Sequence, residues 1–401
     1  MRRMSDSDPA SRPASNRRAF LSGLAARDAV ADRLAAAAAD LPATRRPPEA
    51  GPTVRIAQRS MACEFACALN PGDRSAVMHA GDALAIVHEL EGQLSVYRSD
   101  SEVSRLNDAG AAENVEPGLF ALLQRAKELA ALTDGAFTPL AGSLVALWRA
   151  ARAENEIPPQ TRASAEARNC NATNLTLDRD ARTVRLAPGS RIDLGGIGKG
   201  YALDRAAEHL IKQEVPAFLL HGGRSSVLAR GEHAGADGWP VGLGDPHRTT
   251  RRLGTVVLKD RAMATSGSNV QFYRHRGRRF GHLLDPRTGW PADPDRSGGL
   301  LSATAFAPLS SGTGAADADA LATALYVLGL PAATEFLDAN PTFGGILIAA
   351  PRGGRLPVTV RNLDPAALFL DPTAAFDADA LDAHGPDAGG TDQTRSIAFG
   401  G

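Results

Sequence analysis

The chain has 401 residues, 43% of them hydrophobic and 22% charged, with a formal net charge of -1. That length and balance support one large core or two smaller ones and exclude a fibrous or wholly disordered protein. The near-neutral total excludes a broad electrostatic pull toward nucleic acid or anionic lipid. No nucleic-acid partner is therefore expected, and any anionic ligand must be held by a local arrangement.

In chain order, residues 1–52 form a Pro/Ala/Arg-rich leader ending in Arg45-Arg46-Pro47-Pro48, a composition that predicts little order. Within it, Ser15-Asn16-Arg17-Arg18-Ala19-Phe20-Leu21 resembles a twin-arginine export motif. Arg27, Asp28, Asp32 and Arg33 interrupt the uncharged apolar stretch that such a signal needs, so the segment reads better as an Ala-rich amphipathic helix. No run is long enough to cross a bilayer, and no transmembrane span is expected. The body spans 53–371, and residues 372–401, rich in Asp, Ala and Gly, predict a second stretch of low order.

Thr53 to Leu69 alternates loosely like a strand, and Ala76 to Leu94 carries helical spacing with Leu84, Val87, Leu90 and Leu94 on one side. Gly118 to Leu132 and Leu140 to Arg152 again predict helices. Leu175 to Leu186, Ala217 to Leu220, Ser226 to Ala229 and Thr255 to Leu258 predict short strands. A helix over Ala316 to Leu328 and a buried strand over Gly345 to Ala349 close the body. Strands and helices without strict alternation favour α+β, with mixed or antiparallel sheets flanked by helices, over a doubly wound parallel sheet. Three cysteines are too few for a disulfide framework, no Cys/His cluster has zinc-ligand spacing, and Cys63 and Cys67 are expected to be buried packing residues.

Three segments carry chemistry. Arg191 to Asp204 contains Gly195-Gly196-Ile197-Gly198-Lys199-Gly200 and reads as a strand end, a glycine-rich turn and a helix start. Amides exposed in such a turn can cradle phosphate oxygens, with Lys199 adding a mobile positive charge. The alternative is a plain tight turn with a solvated lysine. Gly200 stands where a Walker loop needs Ser or Thr, and the dinucleotide glycine spacing is not met either. Further on, Ala264-Thr265-Ser266-Gly267 followed by His282-Leu283-Leu284-Asp285-Pro286-Arg287-Thr288-Gly289 places a histidine three residues before an Asp-Pro turn. Its imidazole could take a proton from an attacking hydroxyl or could serve only in packing. Finally, Asp319 and Thr323 are four residues apart on one helical face, where a carboxylate and a hydroxyl can meet a hard cation. Capping is the alternative for these carboxylates, above all for Asp317.

In this order, and with the landmarks between them, these segments resemble the ApbE family of FAD:protein FMN transferases. Met61-Ala62-Cys63 stands where the family has Met-Gly-Thr. Ser95-Val96-Tyr97-Arg98-Ser99-Asp100-Ser101-Glu102 running on to Asn107, Asp134-Gly135-Ala136-Phe137-Thr138-Pro139 leading to Trp148, His221-Gly222-Gly223, and Gly242-Leu243-Gly244-Asp245-Pro246 follow the family's style. The match covers roughly 53 to 350, and its specificity lies in the ordered series.

The resemblance implies an α+β body of the ApbE-like flavin transferase fold, with FAD as substrate and Mg2+ as cofactor. It assigns FAD contacts to Met61, Tyr97, Ala136, Phe137, Thr138, Asp193, Lys199 and Leu284, with Tyr97 stacking on the isoalloxazine ring. It assigns the metal to the carbonyls of Gly196 and Ala322 and the side chains of Asp319 and Thr323, all oxygen donors. His282 matches the family's general base, which would activate a Thr or Ser hydroxyl on an acceptor protein, with AMP as leaving group. The resemblance also implies a periplasmic or membrane-associated location, or a cytoplasmic one if the Arg17-Arg18 motif is not functional. Thr138 and Arg224 stand where the family usually has aspartates, and Gly196 replaces a common alanine. The alternatives to transfer are an FAD pyrophosphatase releasing FMN and AMP, and a flavin-binding carrier without turnover.

Overall fold

The computed structural model describes residues 46–370 and 393–398, apart from 247–250, 269–271, 294–297, 310–311 and 352–354. The leader through residue 45, with Arg17-Arg18, and residues 371–392 lie outside the described residues.

The stretch expected to be one strand over 53–69 is a hairpin of β1 (Val54–Ser60) and β2 (Cys63–Leu69). Ser60 pairs with Cys63, and the two residues between, Met61 and Ala62, take φ of 50° and 60°. A two-residue hairpin of this kind needs positive φ at both central positions, normally supplied by Asn or Gly. Neither is present here, which is why the turn leaves no mark in the sequence. Helix α1 (Arg74–Leu94) follows, capped by the Asp73 side chain on the amides of Ser75 and Ala76. It buries Ala76, Ala80, Ala83, Leu84, Val87 and Leu94.

A helical region comes next, with α2 (Glu102–Ala109), α3 (Pro117–Leu132), α4 (Gly142–Ala153) and α5 (Gln160–Asn169) around a small sheet of β3 (Ala111–Ala112), β4 (Leu175–Asp178) and β5 (Thr183–Leu186). Helix α6 (Gly198–Lys212) leads into β6 (Phe218–Gly222), β7 (Ser226–Arg230), β8 (Trp239–Gly244), β9 (Arg252–Leu258) and β10 (Arg261–Gly267). Two short hairpins, β11 (Phe272–His275) with β12 (Arg278–Gly281) and β13 (Leu284–Asp285) with β14 (Trp290–Pro291), precede β15 (Leu300–Pro308). Helices α7 (Gly314–Leu328) and α8 (Leu330–Ala339), then β16 (Gly344–Ala349), β17 (Arg355–Arg361), β18 (Leu368–Leu370) and β19 (Gln393–Ala398), complete the chain. Strand β19 falls in the stretch whose composition predicted little order.

The main sheet has nine strands in the order β1-β2-β6-β7-β10-β15-β16-β17-β19, and its neighbours pair antiparallel throughout. The expected α+β class with antiparallel sheets and flanking helices is what the chain adopts. Because side chains alternate across a strand, the sheet feeds two cores. Leu228, Ala262, Ala264 and Leu347 point into one shared with α1, α6 and α7, while Val227, Met263, Ile346 and Ile348 point into another closed by the three-stranded sheet β18-β9-β8. Strand β15 is covered on both faces, so its run Leu300 to Ala307 is buried without alternation. A third cluster packs Leu144, Trp148, Cys170 and Phe280 with Leu284 and Trp290, fixing the β13–β14 hairpin against α4. Among the described residues no helix is long and apolar enough to cross a membrane.

Candidate active site

The site is built where the turn before α6 meets α7. Asn107 clamps the chain entering that turn, donating from Nδ2 to the Ile192 carbonyl (2.9 Å) while its Oδ1 accepts from the Ile192 amide (2.6 Å). Asp193 N–H donates to the Pro139 carbonyl at 2.9 Å, and Gly142 N–H to that of Arg191 at 3.0 Å, tying the turn to the 136–142 segment. Asp193 Oδ1 then accepts from the Gly195 amide at 2.7 Å, a local side-chain turn. Burial pushes the Asp193 carboxyl up, opposed by that hydrogen bond and by the nearby Arg149 guanidinium. The N-cap residue of α6, Ile197, offers no side-chain cap, so the positive end of the helix faces the turn.

Helix α7 docks against this end so tightly that Gly200 can be nothing larger: a Cβ there would lie 2.0 Å from the Ala315 carbonyl oxygen. The close approach lets Gly200 N–H reach Asp319 Oδ2 at 2.8 Å, while Ser226 Oγ donates to Asp319 Oδ1 at 2.6 Å. Lys199 Nζ stands 3.5 Å from the same carboxylate, with both side chains largely buried. Thr323, one turn further along α7, donates to the Asp319 carbonyl at 3.3 Å, and its hydroxyl also meets Ser266 Oγ of β10 at 3.2 Å. A Cβ on Gly196 would lie 3.4 Å from the Phe137 ring and 3.6 Å from Thr323 Oγ1, so an alanine methyl would fit there in ordinary contact. Gly196, Lys199, Asp319 and Thr323 are thus brought together from stretches more than a hundred residues apart, and Ala322 is buried in α7 beside Thr323.

The capping expectation for Asp317 does not hold. Its carboxylate forms a two-pronged pair with Arg125 of α3, at 2.9 and 2.8 Å. That pair raises the Arg125 guanidinium further above its usual range. The cap of α7 comes instead from α6: Asp204 accepts from the amides of Ala315 and Ala316, both at 2.8 Å. Burial pushes the Asp204 carboxyl well up, against the pull of the two amides.

Tyr97 is 75% exposed, on the turn before α2, with the Arg149 guanidinium 5.1 Å from its ring centroid. Arg149 therefore lies near both Tyr97 and Asp193. Met61 is partly buried at the β1–β2 turn, and Cys63 after it is half-exposed rather than buried, within electrostatic reach of Lys199 and Asp319. Burial raises its thiol. Cys67 is buried as expected. Ala136 and Phe137 are buried, and Thr138 spends its hydroxyl internally, donating to the Cys170 carbonyl at 2.7 Å and accepting from the Leu140 amide at 3.2 Å. His282 is exposed at the bend between β12 and β13, and Leu284 is half-buried beside Trp148. A Cβ on neighbouring Gly281 would touch Ser268, whose hydroxyl accepts from Tyr326 of α7 at 2.6 Å. Arg224 is exposed at the β6–β7 turn.

Sequence reasoning missed Arg149, Ser226, Ser266 and Asp204 as site-building residues. Each acts through a contact between distant elements, and no local spacing announces it.

The donors gathered at Asp319 and Thr323 are hard oxygens, suited to Mg2+. A carboxylate offers about four lone-pair directions, and Asp319 receives two hydrogen bonds and one ion pair. An acceptor direction therefore remains for a cation, and the residues fit such an ion.

The model of the ApbE family matches residues 59–347. A FAD:protein FMN transferase of Treponema pallidum is 32% identical over 292 residues, covering 68% of this chain and 78% of that protein. One of Klebsiella pneumoniae is 31% identical over 255 residues, covering 63% and 76%. Among solved structures, the ApbE protein of Thermotoga maritima superposes with a TM-score of 0.67 at 27% identity, covering 74% of this chain and 94% of that one. The flavin transferase ApbE from Vibrio cholerae shares the fold with a TM-score of 0.64 at 24% identity, over 78% of this chain and 97% of that one.

Proposed function

The chain belongs to the ApbE family, and from that premise we propose that it is an FAD:protein FMN transferase, moving FMN from FAD to a Thr or Ser hydroxyl of an acceptor protein in a Mg2+-dependent reaction. The acceptor oxygen bonds to the FMN-side phosphorus, the bond from that phosphorus to the bridging oxygen breaks, and AMP leaves with the bridging oxygen. His282 takes the hydroxyl proton.

The observation that carries this proposal is the meeting of Lys199, Asp319, Thr323 and Gly196 at the start of α6, where Asp319 also takes the Gly200 amide. Lys199 and the helix end supply positive potential where phosphoryl charge develops. Asp319 and Thr323, with the carbonyls of Gly196 and Ala322, would hold Mg2+, which when bound supplies Lewis-acid neutralisation of phosphate oxygens. Tyr97 offers an exposed ring for the isoalloxazine, with Arg149 behind it. Asp193 is half-buried, near the same Arg149 that lies over Tyr97. Thr138 acts from within, its two hydrogen bonds stiffening the segment that carries Phe137 against the Gly196 turn.

Incubation with FAD and Mg2+, with and without an acceptor peptide, tests the assignment. AMP released only with the acceptor, together with a flavin-labelled peptide, is the expected result. AMP released equally without it assigns hydrolysis, and bound but intact FAD assigns a carrier.

A further inference from the structure

Helices α1 and α6 pack against each other on the helical side of the main sheet. His79 and Asp82 lie three residues apart on α1, hence on one face, and His209 faces them from the last turn of α6. The two imidazoles approach edge-on, with ring centroids 6.3 Å apart at 62°. One ring nitrogen of each histidine and a carboxylate oxygen of Asp82 all lie within 4.8 Å of one another. None of the three hydrogen-bonds or ion-pairs with another of them. His209 Nε2 is shut off from solvent with no hydrogen-bond partner, an arrangement that proteins avoid unless something else satisfies the nitrogen.

We propose that His79, Asp82 and His209 form a site for a divalent transition-metal ion of the zinc class, clamping α1 to α6. Two neutral imidazoles and one carboxylate are a set that Zn2+ accepts and that Mg2+, which prefers all-oxygen shells, does not. Bonds of roughly 2.0–2.2 Å place tetrahedral ligand atoms about 3.4 Å apart, so side-chain rotation of about 1 Å closes the set on an ion, with water completing the shell. The site is separate from the candidate active site. His209 is ten residues from Lys199 along α6, about 15 Å by helical rise.

No local spacing announces this constellation, because Asp82 and His209 belong to different helices and only their packing creates a ligand spacing.

Calorimetric titration of the full, tag-free chain with Zn2+, and with Co2+ as a spectroscopic probe, in the presence of saturating Mg2+, tests the proposal. One equivalent is expected to bind, Co2+ to develop visible ligand-field bands, and the thermal midpoint to rise. His209→Ala and His79→Ala should each weaken binding by about 100-fold or more, since even outer-shell changes at such sites weaken it about 10–100-fold. Asp82→Asn, at an exposed position that leaves packing intact, should also weaken it. No saturable binding, or binding that survives these three substitutions, overturns the proposal. So does binding that disappears in Asp319→Asn, which would assign the ion to the other site.

Discussion

Gly200 donates its backbone N–H to Asp319 Oδ2 at 2.8 Å, and the same residue has no room for a Cβ beside the Ala315 carbonyl. One contact therefore fixes both the packing of α6 on α7 and the orientation of the carboxylate proposed to hold the metal. Gly200→Ala should separate the helices or displace the backbone, destabilising the fold by about 1–3 kcal/mol as overpacking does. AMP release should fall more than stability alone explains. Urea unfolding alongside the AMP assay in the same variant checks both.

Arg125 and Asp317 form the second lock on α7. The carboxylate is almost fully buried, so Arg125→Ala leaves an uncompensated buried charge and should destabilise by about 3 kcal/mol. Arg125→Lys keeps the charge but loses the two-pronged geometry and should fall between. Denaturant midpoints of the two variants decide it: a lysine variant as unstable as the alanine variant would argue that charge without the two-pronged geometry contributes nothing, and one as stable as wild type that the geometry contributes nothing.

Much of this site could be read from the chain, and the rest could not, for identifiable reasons. The glycine-rich turn before α6 and the four-residue spacing of Asp319 and Thr323 are local patterns with local physical meaning, so they survive without coordinates. The cap of α7 by Asp204 spans 111 residues and the Ser226 bond to Asp319 spans 93, and neither has a local signature. Asp317 looked like a cap because carboxylates favour helix starts, whereas tertiary packing supplied both a different cap and an arginine partner. The β1–β2 turn was hidden because Met61 and Ala62 adopt positive φ without being turn residues.

Alkaline pH should weaken the fold. Burial pushes the thiols of Cys67 and Cys170 from 9.0 up to about 12, and the Tyr201 phenol from 10.0 up to about 12. Each group is protonated longer when folded than when unfolded, so its contribution is complete below pH 9 to 10 and is lost as pH rises toward 12. Stability should fall by about 1.4 kcal/mol per pH unit for each group titrating only in the unfolded chain. Urea midpoints at pH 8, 10 and 11 measure this, and a flat profile would contradict the burial of these groups.

Tyr97→Ala should leave stability within about 0.5 kcal/mol, as expected for a residue 75% exposed. Loss of stacking of about 1–3 kcal/mol should weaken FAD binding by roughly 5- to 150-fold. Fluorescence titration with FAD checks it, and unchanged affinity would remove Tyr97 from the flavin site.

In the proposed reaction Asp319 holds a divalent cation beside the phosphates while His282 takes the hydroxyl proton. AMP release with FAD and an acceptor peptide, measured against Mg2+ concentration for wild type, Asp319→Asn and His282→Ala, tests it most directly. Loss of the Mg2+ response in Asp319→Asn, with FAD binding retained but turnover lost in His282→Ala, is the predicted result. A wild-type Mg2+ response in Asp319→Asn, or full turnover in His282→Ala, would contradict it.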